Sequence, residues 1–101
     1  MAWTQWWSFR EGMVNSDRDE GGVYQFANSA GTVVYIGSSG QIRTRLMQHL
    51  SEDAKSCIKN NAAQYRIDYR QDYAAEELRL YNEFVRQNGK QPACNTIRPP
   101  G

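Results

Sequence analysis

The chain has 101 residues, with 12 Lys and Arg against 11 Asp and Glu, 40% hydrophobic and 12% aromatic residues, which suffices for one core and not for two. A net charge of +1 excludes a histone-like polycation and leaves room only for a local basic face. No run of about 18 apolar residues is available to span a membrane, and the opening MAWTQWWSFREG lacks the basic-then-apolar layout of a secretory signal. A soluble, cytoplasmic protein is expected. Cys57 and Cys94 are too few and too far apart in sequence for a disulfide scaffold, so reduced and structurally incidental thiols are expected. The lone His49 rules out a multi-His zinc site.

In chain order, Trp3, Trp6 and Trp7 have helical spacing, which predicts a short docking helix within Trp3 to Met13. These rings serve packing or, alternatively, offer a stacking surface for bases. The polar stretch Asn15 to Gly22 reads as a linker, so that residues 1–21 form an N-terminal helix and linker packed on a main unit of residues 22–101. Val23 to Phe26 alternates and Thr32 to Ile36 is β-branched and aromatic; with Asn28-Ser-Ala-Gly31 between them, the pair reads as a hairpin.

From Gln41 to Leu50, the apolar Ile42, Leu46 and Leu50 recur every four residues on one helical face. Arg43, Arg45 and His49 lie off that stripe and are free to face a site. The polar stretch around Ser51 to Ala62 is given no element, whereas Gln64 to Tyr69 alternates as a third strand. Tyr73 to Gln87 reads as a helix with Ala74, Leu78, Tyr81 and Val85 on one face, stopped by Gly89. The tail Lys90 to Gly101, with Pro92, Pro99 and Pro100, is expected to be extended and packed in part. This order predicts an α+β domain with a three-stranded, mainly antiparallel sheet flanked by helices.

Gly22-Val-Tyr24 begins one strand and Tyr35-Ile-Gly37 ends its partner, and together they resemble the two halves of the GIY-YIG nuclease signature, with Val23 in place of the Ile. The resemblance continues with Arg45 ten residues after Tyr35, His49 four further on, a carboxylate on the last helix and Asn95 closely behind Pro92. It spans residues 22–95 and implies the GIY-YIG fold. It also implies a divalent-metal-dependent endonuclease or nickase that hydrolyses DNA phosphodiester bonds by water attack, with Mg²⁺ as cofactor and Mn²⁺ able to substitute.

In the roles the resemblance implies, Tyr24 activates or positions the water, Tyr35 orients Tyr24 and the phosphate, and Asn95 holds the hydrogen-bond geometry. Glu77 is the metal ligand. It is favoured because bulky apolar residues, Leu80 and Tyr81, follow it at three and four positions. It also lies roughly 100° to 120° around the helix from Glu76 and Glu83, next to the apolar face. Glu76 remains a competitor.

The chemistry supports these assignments independently: phosphodiester hydrolysis needs an in-line water, positive charge against the phosphorus oxygens and stabilisation of the leaving 3′ oxygen. Mg²⁺ keeps several waters, so one carboxylate plus substrate is sufficient ligation. Arg45 suits the scissile phosphate through its planar, permanently charged guanidinium. His49 can bond a phosphate or shuttle a proton. Arg43 is a spare arginine for nucleic acid, and Ser38, with Ser39, either contacts phosphate or forms a turn. Lys55, Lys59, Arg66 and Arg70 either build a basic track or form ordinary surface. DNA is the expected partner, RNA the alternative, with no membrane, a cytoplasmic or alternatively nucleoid-associated location, and sequence preference either modest or supplied by a partner protein. Rival readings are a catalytically weak nucleic-acid-binding module and a toxin-like or mobile-element nuclease.

Overall fold

Alternating residues at three places in the chain build antiparallel strands, and a short fourth strand joins them from the N-terminal segment. The computed structural model describes residues 3–51 and 54–95. In chain order the elements are β1 (Trp7–Ser8), α1 (Glu11–Val14), β2 (Gly22–Ala27), β3 (Val33–Ser39), α2 (Ile42–Leu50), α3 (Ser56–Asn61), β4 (Gln64–Tyr69) and α4 (Tyr73–Asn88). The sheet runs β1-β4-β2-β3, antiparallel at every pairing. None of the described helices is long and apolar enough to cross a membrane.

Register decides what each face carries. Tyr24 stands opposite Gly37 and Ile67, and Phe26 opposite Tyr35 and Tyr65, so these six residues share one face. Val23, Gln25, Ile36, Ser38, Arg66 and Asp68 share the other. Helices α2 and α3 cover the first face, where Ile42, Leu46 and Ile58 join Tyr24, Phe26, Tyr65 and Ile67 in the core. Full burial of Phe26 and Ile67 contributes about 1.5–3 kcal/mol each. Helix α4 packs on β3 and β2, with Glu77 meeting Ser38 of the second face. The hairpin, the α2 stripe, the third predicted strand and the last helix therefore form where the periodicity puts them.

The N-terminal segment departs from expectation. In place of a helix carrying the three tryptophans, Trp7–Ser8 pairs with Tyr65 and Gln64 at the outer edge of β4. Thr4 N–H donates to the Ile67 carbonyl at 2.8 Å, and Phe9 N–H to that of Ala63 at 3.0 Å. An open edge satisfies these backbone groups immediately, whereas a short isolated helix must first cover its nucleation cost. Trp3 and Trp6 stack on the Arg66 guanidinium at 4.4 and 4.6 Å. They are packing residues, held on the face opposite the core.

The thiols are a second correction. Cys57, in the first turn of α3, is bonded to Cys94 of the tail, with Cα atoms 5.6 Å apart. A separation of 37 residues in sequence hides their meeting: α3 packs beside β3, and Cys94 N–H donates to Val34 of that strand at 2.7 Å. The stretch left without an element contains α3 itself. Of the predicted tail, Pro92 is buried, while Pro99 and Pro100 lie outside the described residues.

Candidate active site

The site lies where the start of β2 meets the end of β3, and its first requirement is the absence of a side chain. A Cβ on Gly37 would stand 2.5 Å from Tyr24 Cζ and 2.8 Å from Tyr35 Cε2, so the Tyr24 ring lies directly on the Gly37 backbone. Gly22 answers the same need across the neighbouring pairing, where a Cβ would stand 2.7 Å from the Asp68 carbonyl oxygen. Tyr35 stacks on Tyr24 with centroids 6.0 Å apart and planes 28° apart. Gly37 and the two tyrosines of the GVY and YIG segments are thus one packing unit, while Gly22 packs against the backbone of β4.

Helix α2 brings the next two residues. Its first turn is fixed by Ile42 N–H donating to the Glu20 carbonyl at 3.0 Å. The Asp19 carboxylate also accepts from Thr44 N–H and the Thr44 hydroxyl, each at 2.9 Å. Asp19 does the work of an N-cap from outside the helix, a role that its place in the linker gave no reason to expect. The Thr44 backbone bond, the largest influence, lowers its pKa. With α2 so placed, His49 Nε2 sits 2.8 Å from the Tyr24 hydroxyl. Arg45, one turn earlier, is exposed and acts electrostatically on Tyr24, Tyr35, His49 and Glu77 alike.

Glu77 comes from α4, and the Ser38 hydroxyl donates to its Oε1. Ser38, expected as a nucleic-acid contact or a turn residue, is here a partner of the Glu77 carboxylate. Ser39 has the turn role, donating to the Gln41 carbonyl at 3.2 Å and accepting from its N–H at 3.0 Å. Glu76 is spoken for: Arg79 Nε and Nη2 reach its carboxylate at 2.8 and 2.7 Å, and Arg70 Nη1 at 3.3 Å. Arg79, the largest influence, holds the Glu76 carboxyl below its usual range. Burial pushes Glu77 the other way, against the smaller opposing effects of Ser38 and Arg45. Glu83 pairs with Arg79 at 3.0 Å. Of the three helical carboxylates, Glu77 is the one joined to the tyrosine cluster.

Arg43 is not brought to the site, because its Nη1 donates to the Asp17 carbonyl at 3.2 Å. Asn95 joins from the tail without facing the tyrosines. Its Oδ1 accepts from Ile36 N–H and its Nδ2 donates to the Ile36 carbonyl, both at 3.0 Å. The cations left open as either a basic track or ordinary surface are engaged at separate places. Arg66 is held by the tryptophans and Gln25, Arg70 by Asp68, Asp72 and Glu76, and Lys55 acts on His49.

Burial suppresses charge throughout the cluster. It raises the Tyr24 pKa well above the phenol range, reinforced by Tyr35, and raises that of Tyr35, reinforced by Glu77. Desolvation, followed by Arg45 and Lys55, lowers His49 to about 4, so the imidazole is neutral and can accept from or donate to the Tyr24 hydroxyl. Among the described residues no group of three or more His, Cys, Asp and Glu is placed to hold a metal ion. The donors present nevertheless fit a hard divalent cation: one half-buried carboxylate, whose ionised form lacks full compensation, beside phenol and hydroxyl oxygens. Mg²⁺ and Mn²⁺ accept such oxygen donors and complete their shell with water.

No curated protein sequence matches the chain. Among solved structures, it resembles the GIY-YIG N-terminal endonuclease domain of UvrC from Thermotoga maritima bound to its catalytic divalent cation, magnesium. The identity is 22% and the TM-score 0.64, over 84% of this chain and 93% of that one. A tyrosine-to-phenylalanine point mutant of that domain with its divalent cation matches at 22% identity and TM-score 0.64, over 85% and 93%. An asparagine-to-alanine mutant matches at 21% and 0.61, over 83% and 93%. The chain has the GIY-YIG fold, and through residues 1–85 it belongs to the family described as Domain of unknown function (DUF7508).

Proposed function

We propose that the protein is a divalent-metal-dependent phosphodiesterase that cuts DNA as an endonuclease or nickase. The observation that carries this reading is the convergence of Tyr24, Tyr35, His49 and Glu77, from four separate elements, within the field of Arg45. The magnesium-bound endonuclease domain of the same fold supports it.

In this reading Glu77, steadied by Ser38, holds Mg²⁺ or Mn²⁺. When bound, the cation offsets charge on the phosphate and on the leaving 3′ oxygen. Arg45 grips the non-bridging oxygens through its two-pronged guanidinium. Tyr24 orients the attacking water through its hydroxyl, and neutral His49, 2.8 Å away, receives the proton that the hydroxyl passes on. Tyr35 keeps the Tyr24 ring in place by stacking. Asn95 acts at one remove, through the backbone of Ile36. A single such site cuts one strand per encounter, and the protein works inside the cell with sequence choice supplied by a partner.

The test is incubation with supercoiled plasmid, branched DNA and RNA, each with Mg²⁺, Mn²⁺ or a chelator. Metal-dependent conversion of plasmid to nicked circles, abolished by the chelator, is expected. Binding without products in either metal would overturn the enzymatic reading, and cleavage confined to RNA would overturn the choice of DNA.

A further inference from the structure

Among the described residues β3 is an edge strand, so the outward C=O of Val34 and the N–H and C=O of Ile36 have no neighbouring strand there to pair with. The tail supplies the missing partners: Cys94 N–H bonds the Val34 carbonyl at 2.7 Å, and the Asn95 side-chain amide closes both groups of Ile36 at 3.0 Å. Ile36 lies between Tyr35 and Gly37, the stacking partner of Tyr24 and the surface under its ring. Whatever holds Asn95 therefore holds the geometry on which Tyr24 depends.

Two anchors secure this short segment. Upstream, the Tyr81 hydroxyl donates to Gln91 Oε1 at 2.8 Å. The second is the covalent bond from Cys94 to Cys57, next in sequence to Asn95. Asn95 and Cys94 are 5% and 1% exposed, whereas Cys57 is half-buried and the more accessible sulfur. We propose that the Cys57–Cys94 bridge is a redox-controlled latch for the catalytic edge strand, closed when oxidised and loosened when reduced, with Asn95 as the positioning residue through which it acts.

The reductant is a dithiol. One of its thiolates attacks Cys57 Sγ, breaking the bond to Cys94 Sγ and forming a mixed disulfide, with the electron pair leaving on Cys94. Its second thiol displaces Cys57. The protein gains two electrons and two protons as two thiols, and the dithiol becomes an intramolecular disulfide. Reducing surroundings open such pairs and oxidising ones keep them closed. The catalytic consequence rests on the nuclease reading; the structural one does not.

The experiment compares the oxidised protein with the same protein reduced by dithiothreitol, thiol content being confirmed by mass spectrometry. Amide hydrogen exchange at Ile36 and steady-state plasmid nicking are read in parallel, together with Cys57→Ser and Asn95→Ala variants. Reduction should speed Ile36 exchange by about tenfold or more while β2 amides keep their protection, and should lower kcat by about tenfold with little change in KM. Cys57→Ser should match the reduced parent in either buffer. Asn95→Ala should be slow and indifferent to reductant, which a purely stabilising bridge would not produce. Equal Ile36 exchange in the two states, acceleration of all amides together, or a redox response surviving in Asn95→Ala would overturn the latch. A change at Ile36 with no cleavage in either state would support the latch and overturn the nuclease.

Discussion

Glu76 and Glu77 are adjacent carboxylates on one helix, and their surroundings treat them in opposite ways. Glu76 is buried among charges that answer it, with Arg79 gripping both oxygens and Arg70 close by. Glu77 is half-buried near the two phenols and one serine hydroxyl, with the exposed Arg45 as the cation that acts on it, and burial still raises its pKa. A step of about 100° around a helix separates the two. The first arrangement is complete in the folded protein. The second leaves a carboxylate in want of positive charge, the condition of a site that recruits a cation and an anionic substrate at once. Poor electrostatic compensation inside a well-packed protein is thus a sign of function where it coincides with a defined geometry.

The sharpest way to break the contrast on the arginine side is Arg45→Lys. Single-turnover cleavage should fall by about 10²–10³-fold with the binding constant nearly unchanged, because the lost two-pronged contact belongs to the transition state. Arg43→Lys should stay close to the parent, since a lysine can still donate to the Asp17 carbonyl. If Arg43→Lys is the crippled protein, the two arginines have been assigned the wrong way round. Tyr24→Phe should slow turnover by about 10²-fold with little loss of stability, the hydroxyl being the proton-handling group. Unchanged turnover at saturating metal would remove Tyr24 from that role.

Stability measurements sharpen the same comparison at smaller scale. His49 is lowered to about 4 in the folded protein, so between that value and its unfolded pKa near 6.5 the unfolded chain binds the extra proton. Stability is full above the unfolded value and declines as pH falls, by about 1 kcal/mol between pH 7.5 and 5.5. His49→Gln should lose that part of the slope, and an unaltered slope in chemical denaturation would contradict a neutral His49. Smallest in size, Glu76→Gln should lower the melting temperature by removing the arginines' partner, while Glu77→Gln should raise it slightly by removing an uncompensated charge. A fall in both would erase the distinction between the two carboxylates.

The local signals were readable from residues alone. The every-fourth-residue stripe of Ile42, Leu46 and Leu50 places Arg45 and His49 off the core, alternation marks Gln64–Tyr69, and Gly22 and Gly37 stand out through the motif they share with Tyr24 and Tyr35, the want of room for a Cβ being visible only in the fold. What stayed hidden depends on partners distant in sequence. For Glu76 and Glu77 the hidden part is only half of the matter: Arg79, the main partner of Glu76, lies three residues on in the same helix, whereas Arg70, just after β4, and Ser38 of β3, which meets Glu77, come from distant sequence. The tryptophans read as a helix because nothing local reveals that β4 has an open edge for Trp7 and Ser8. The bridge between Cys57 and Cys94, the Asp19 cap on α2 and the Asn95 clamp on Ile36 all arise from packing across the sheet, and no spacing rule encodes them.

The central claim, that Glu77 is the carboxylate of a metal-dependent cutting site, is met most directly by one titration. Parent, Glu76→Gln and Glu77→Gln are compared in single-turnover cleavage of a labelled duplex across a range of Mg²⁺ concentrations. A cation's charge stabilisation amounts to several kcal/mol, and each ~1.4 kcal/mol is tenfold in rate. Glu77→Gln should therefore be slower by at least about 10³-fold, while Glu76→Gln keeps the parental rate within about threefold and the parental Mg²⁺ dependence. Parental cleavage by Glu77→Gln, with the loss appearing in Glu76→Gln, would contradict the account and move the metal ligand by one residue.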